Sequence, residues 1–174
     1  MELLEIMKNR RSVRTYTGEP VPEEALQTIL KAGLLSASGR AVRPWEFIVV
    51  EDRETLKKMA GSREAGAKML EGAACAVVVL GDEEKTDVWT EDCSIAMANM
   101  HLMADSLGIG SCWIQGRLRQ ASDGRTTENY LRELLGYPEH LKLEAVLSLG
   151  MPKDRPKAHT EDELLPEKIH RERF

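Results

Sequence analysis

The sequence predicts one domain that mixes helices with short strands, on three observations: amphipathic stretches of helical period, short β-branched runs between them, and a length suited to a single core. At 174 residues the chain can bury the larger part of its unfolded surface around one core, whereas two independent domains would be cramped. The expected domain spans residues 1–174. An apolar share of 42% and a charged share of 30%, with no tract dominated by proline, glutamine or like charges, indicate an ordinary globule and not a disordered chain.

The elements follow in order. A helix is expected over 2–9, with Leu3, Leu4, Ile6 and Met7 on one face and Asn9 at its end. A basic run, 10–14, comes next. Pro22 opens a second helix whose Glu23 and Glu24 complement the helix dipole, and Leu26, Ile29, Leu30, Leu34 and Ala37 carry the helical spacing to Gly39. Residues 47–50 and 76–80 read as strands, with shorter helices between them. From 91 to 107 the residues Ile95, Ala96, Met97, Ala98, Met100, Leu102, Met103, Ala104 and Leu107 leave almost no polar face, so this helix is expected to be buried all round. Two readings of it stand: a central core helix, or a helix partly covered by a second copy of the chain. Residues 111–114 form a third strand ending at Gln115-Gly116, and 130–135 a helix stopped by Gly136 and Pro138. A fourth strand, 145–149, ends at Gly150, and 152–174, charged and proline-containing, reads as an extended tail.

Charge and composition exclude several functions. A net charge of −5 repels nucleic acid and anionic membrane, so neither is an expected partner. The longest apolar run, 73–80, falls well short of the roughly 20 residues that cross a bilayer. Acidic Glu2 and Glu5 stand where a signal peptide needs positive charge, and the cytoplasm is the expected compartment. Cys75, Cys93 and Cys112, an odd number without close spacing, read as free buried thiols. His101, His140, His159 and His170 are scattered, so no metal site is expected and they read as core or surface histidines. Gly108-Ile109-Gly110 lacks a third glycine and follows a helix instead of a strand, which excludes a dinucleotide fingerprint. Phosphate-loop, zinc-protease and serine-hydrolase motifs are absent too.

Two segments could carry chemistry. Arg10-Arg11-Ser12-Val13-Arg14 sets three guanidinium groups and a hydroxyl within five residues, a donor set suited to phosphate oxygens. Its other reading is a solvated face beside a helix C-terminus. The stretch 36–45, with Ser36, Ser38, Gly39, Arg40, Ala41 and Arg43 before Pro44-Trp45, lets backbone approach a flat ligand; alternatively it is a turn whose tryptophan fills core.

Taken together, Arg10-Arg11-Ser12-Val13-Arg14-Thr15-Tyr16, the loop from Ser38 to Pro44-Trp45-Glu46-Phe47, Gly108-Ile109-Gly110-Ser111-Cys112-Trp113-Ile114 and Leu147-Ser148-Leu149-Gly150-Met151-Pro152 resemble, in order and spacing, the FMN-dependent nitroreductase family, particularly its short members. The resemblance covers nearly the whole chain. It implies an α+β fold, a nitroreductase-like central and mostly antiparallel sheet wrapped by helices, in an intertwined homodimer with two FMN sites. Arg10, Arg11, Ser12 and Arg14 would then lie along the FMN phosphate, ribityl chain and pyrimidine edge, and Ser38 and Arg40 would come from the partner subunit. Gln115 and Gly116 would offer backbone N–H groups near flavin N5, Gly150 would let the chain pass close to the cofactor, and Lys68 would approach the pyrimidine end. Arg14 and Lys68 are the candidate stabilisers of the negative charge that reduction leaves on the ring, while the flavin itself carries the reaction.

The activity implied is ping-pong: NADH or NADPH reduces the flavin by hydride transfer, then a nitroaromatic, a quinone or a similar small-molecule acceptor takes the same space. The chain departs from the family where Ala41 and Arg43 stand in place of the usual Asn and Gln, and where Met151 stands in place of the usual Tyr. Lys157 and Arg171 carry no assigned role. The rival functions are a flavin storage or sensor protein and, outside enzymes, a module binding phosphate or acidic peptides through the arginine run.

Overall fold

The four apolar runs join into one antiparallel sheet in the computed structural model, which describes residues 2–174 and leaves Met1 outside the described residues. In chain order the elements are α1 (Leu3–Asn9), α2 (Glu23–Leu34), β1 (Trp45–Val50), α3 (Arg53–Ala60), β2 (Cys75–Asp82), α4 (Trp89–Ser106), β3 (Gly110–Gln115), α5 (Thr127–Leu135) and β4 (Leu141–Gly150). Short 3-10 turns lie at Gly39–Ala41 and Lys68–Glu71 and twice in the tail. The strand order is β1-β2-β4-β3, every neighbour antiparallel, so β2 and β4 are central and β3 is an edge. This is an α+β fold.

Burial on both faces explains why β2 and β4 read as continuous apolar runs. Val77, Val79, Ala145, Leu147 and Leu149 face α2 and α4, and Ala76, Val78, Leu80, Leu143 and Val146 face α3 and α5. The buried stripe of α4 is Cys93, Ala96, Met97, Met100 and Ala104. Each fully buried methionine there contributes about 2 kcal/mol, so packing and not propensity holds this helix.

Three boundaries differ from expectation by more than two residues, and one burial pattern differs. The second helix stops at Leu34 and not at Gly39, because the Ser36 N–H and hydroxyl bond back to Gly33 O and Ala32 O at 3.2 and 3.0 Å and close the last turn. The long helix, α4, is not buried all round within this chain: Ile95 is 41% exposed and Ala98 is open as well. α5 begins at Thr127 and not at residue 130, since the Thr126 hydroxyl accepts from Asn129 N at 3.0 Å as an N-cap; Gly136 ends it in the left-handed region, as expected. β4 begins at Leu141, four residues early, because alternating Lys142 and Glu144 hid the buried Leu141 and Leu143 that open it. All three cysteines are free and buried, and residues 153–174 are exposed. No helix among the described residues is long and apolar enough to cross a membrane.

Candidate functional site

Beyond Asn9 the chain leaves α1 and runs along the open edge of β3. Ser12 bridges Ser111 in parallel sense, and Val13 N donates to Ser111 O at 2.9 Å. Further on, Thr17 N donates to Met151 O at 2.9 Å and Lys153 N to Thr15 O at 3.1 Å. Two paired glycines make room for this segment. A Cβ on Gly110 would stand 2.8 Å from Val13 Cγ1, and one on Gly150 would stand 2.7 Å from Tyr16 Cδ1. In this chain Gly150 is therefore needed for the Tyr16 ring.

The Tyr16 hydroxyl donates to Val13 O at 2.9 Å and accepts from Ser148 Oγ at 2.7 Å, locking the arginine-bearing segment to β4. Burial pushes its pKa well above the usual phenol value, so it stays a donor. Tyr16→Phe is expected to cost about 1 kcal/mol, read as a lower urea midpoint at unchanged slope; an unchanged midpoint would show that these bonds do not anchor the segment.

The three guanidinium groups of the run bond to neutral acceptors. Arg10 Nη1 donates to His101 Nε2 at 2.8 Å, Arg11 Nη1 to the backbone oxygen of Lys157, and Arg14 Nη1 to Ser12 O at a weak 3.5 Å. None of these contacts is an ion pair, although the Glu163 carboxylate in the tail interacts with Arg11, so the edge of β3 carries net positive charge in an acidic protein. Ser12 lies between them, half-buried. The Cys112 thiol sits under Ser12 and Arg14; burial pushes its pKa up against the opposing pull of Arg14, which keeps it a thiol.

Gln115 and Gly116 close β3. Gly116 N–H is committed to Glu144 O at 3.2 Å, and because bonded and unbonded positions alternate in an antiparallel ladder, the N–H of Gln115 turns to the open edge. The Gln115 side chain is fixed by Trp113 Nε1 at 2.9 Å and by its own bond to Arg117 O at 3.2 Å. Gly116 has a packing reason as well, since a Cβ there would meet Leu143 Cδ2 at 2.5 Å. Gly116 and Arg117 line a cavity of about 470 Å³ together with Trp89 and Lys142, and none of residues 10–14 reaches it. Lys68 lines a different one, about 350 Å³, with Arg63, Glu71 and Ser122.

Ser38 and Arg40 are not brought to the arginine run within one chain. Gly39 N donates to Asp92 Oδ1 at 2.8 Å in the first turn of α4, whereas Arg10 meets His101 nine residues further along that helix, roughly 13 Å away at 1.5 Å per residue. Ser38 Oγ accepts from Arg43 N at 2.9 Å, and Arg40, Ala41 and Arg43 all have positive φ, 52°, 57° and 53°. Three non-glycine residues in the left-handed region mark a strained loop. Asp92 Oδ2 is buried without a hydrogen-bond partner beside it. Trp45 fills core, 5% exposed.

Two polar residues of α4 were missed as site residues. Asp92 and His101 are the polar residues on the buried side of α4, and buried polar groups need partners; that was the available signal, although their partners lie 53 and 91 residues away.

Comparison with known proteins agrees with this geometry. The family model described as Nitroreductase matches residues 7–63 and 59–151. The structure of an FMN-dependent nitroreductase from Clostridium difficile R20291 superposes with a TM-score of 0.96 at 41% identity, covering 98% of this chain and 99% of that one. A protein of Archaeoglobus fulgidus, provisionally named NADH dehydrogenase/NAD(P)H nitroreductase, is 40% identical over 178 residues, 99% of each chain. A provisionally assigned nitroreductase from Desulfovibrio desulfuricans, solved in complex with FMN, aligns at TM-score 0.79 and 27% identity over 100% of this chain and 98% of that one. With its sheet, its arginine-bearing edge and a family model spanning most of its length, this chain belongs to the nitroreductase family.

Proposed function

We propose that the chain is a single FMN-binding domain that works as a homodimer and transfers reducing equivalents from NADH or NADPH to a small-molecule acceptor such as a nitroaromatic or a quinone. The observation that carries this reading is the set of three guanidinium groups held by neutral acceptors along one sheet edge. Phosphate suits that set: forked donors match its oxygens, and the net positive charge of the run complements its own. The donor chemistry therefore fits FMN. When bound, FMN supplies hydride transfer, first from the reduced nicotinamide and then to the acceptor, which use one space in turn.

The chain's own residues bind and orient. Arg10, Arg11 and Ser12 hold the phosphate end, and Arg14 and Lys68 place positive charge for the ring's pyrimidine side. Gln115 offers its edge-facing N–H, and Gly116 and Gly150 keep side chains out of the way. Ser38 and Arg40 act from the second subunit, which is the reading supported by their separation from Arg10 within one chain. Uncovered apolar surface supports the dimer: Ile95 on α4 is 41% exposed, Leu35 84%, and Leu164 and Ile169 in the tail 59% and 74%. The test is continuous NADH or NADPH consumption with added nitroaromatic or quinone. Turnover far beyond one reductant per bound flavin is expected; consumption stopping at one equivalent would leave a storage protein.

A further inference from the structure

We propose that His101 is a positioning residue for the phosphate end of the cofactor, acting as the acceptor that fixes the Arg10 guanidinium beside Ser12; this rests on the FMN reading above. Arginine can only donate, so the 2.8 Å contact from Arg10 Nη1 makes His101 Nε2 the acceptor and puts the ring proton on Nδ1. That proton goes to Ser111 Oγ at 2.5 Å. Ser111, 2% exposed on β3, thus holds the basic run twice: its carbonyl takes Val13 N–H, and its hydroxyl holds the imidazole that holds Arg10. Val13 follows Ser12 directly and Arg10 stands two residues before it, so one buried residue registers the guanidinium and the hydroxyl on the same frame.

The choice of imidazole has a chemical consequence. A carboxylate at this point would grip Arg10 more tightly but cancel the charge the phosphate requires, and an apolar side chain would leave the guanidinium free to swing. A neutral ring grips without cancelling. Burial, helped by Arg10, pushes the His101 pKa down to about 4, so the ring is neutral at physiological pH. The contact also crosses from the segment after α1 to a helix 91 residues later, so it does not follow from local chain geometry.

The experiment compares FMN with riboflavin, which lacks the phosphate, by fluorescence titration of the full-length wild-type, His101→Leu and His101→Gln proteins. His101→Leu is expected to weaken FMN by at least about tenfold and riboflavin by less than about twofold, while His101→Gln, whose amide oxygen can accept from Arg10, recovers FMN to within about threefold of wild type. A merely structural role would weaken both flavins alike, and that result, or unchanged FMN affinity in both variants, would overturn the proposal. Wild-type protein that binds both flavins equally well would overturn it also, because no phosphate contact would remain to position. Wild-type protein that binds neither flavin would remove the FMN reading itself and this inference with it.

Discussion

Alanine at both Arg10 and Arg14 is expected to weaken FMN binding by at least about a hundredfold, because each charge-assisted bond to phosphate or ring oxygen contributes about 1.5–3 kcal/mol and two are lost together. The fold should survive the change. Arg14 is exposed, Arg10 only half-buried, and His101 keeps its bond to Ser111 when Arg10 is removed. Riboflavin affinity should fall less than FMN affinity, since on the proposed reading only Arg14 of the two acts on the ring. The remaining affinity should also depend less on salt, as fewer guanidinium groups face the anion. Fluorescence titration at two ionic strengths measures all of this. Loss of less than about threefold would mean that the arginine run is the solvated face that its sequence also allowed.

The second large effect is on stability against pH. His101 is 7% exposed, and burial followed by the Arg10 charge lowers its pKa from 6.5 to about 4. Between those values the unfolded chain binds a proton that the folded chain refuses. Stability from this group is therefore complete above about pH 6.5 and is lost as pH falls towards 4. Moving from pH 7.5 to pH 5 should remove about 2 kcal/mol. Buried Glu144 works in the opposite direction, its pKa raised by desolvation, so the wild-type dependence alone would mix the two. Subtracting the urea-unfolding profile of His101→Gln from that of wild type isolates the imidazole. A difference that stays flat from pH 7.5 to pH 5 would show that the ring is hydrated and titrates normally, contrary to its place between Arg10 and Ser111.

Local chemistry made much of the fold legible in the sequence. Four short, largely apolar runs, the first two of them β-branched, became the four strands, and the Gly136 stop and the Asn9 end hold. What misled was polarity inside elements: Lys142 and Glu144 hid the start of β4, and Thr126 and Thr127 hid the first turn of α5. The end of α2 was misplaced because apolar spacing continued to Ala37 while Ser36 had already closed the helix through its own hydroxyl. In the site, the arginine run could be read because its donors are contiguous. For His101, Ser111 and Asp92 at most the need for a partner could be read, since contacts made 10, 53 or 91 residues away leave no local pattern of which partner it is. The pairing of Gly110 and Gly150 with Val13 and Tyr16 was hidden for the same reason: a glycine in a strand tells of close approach but not of what approaches.

The most direct test of the account is the absorption spectrum of the purified protein before and after adding FMN, and then NADH or NADPH under nitrogen. Bound-flavin bands that bleach on adding one of the reductants, and return when a quinone or nitroaromatic is added, are the expected result. Flavin that binds but keeps its colour with both reductants would contradict the oxidoreductase reading, and protein that leaves the FMN spectrum unchanged would contradict the assignment of the arginine edge to the cofactor.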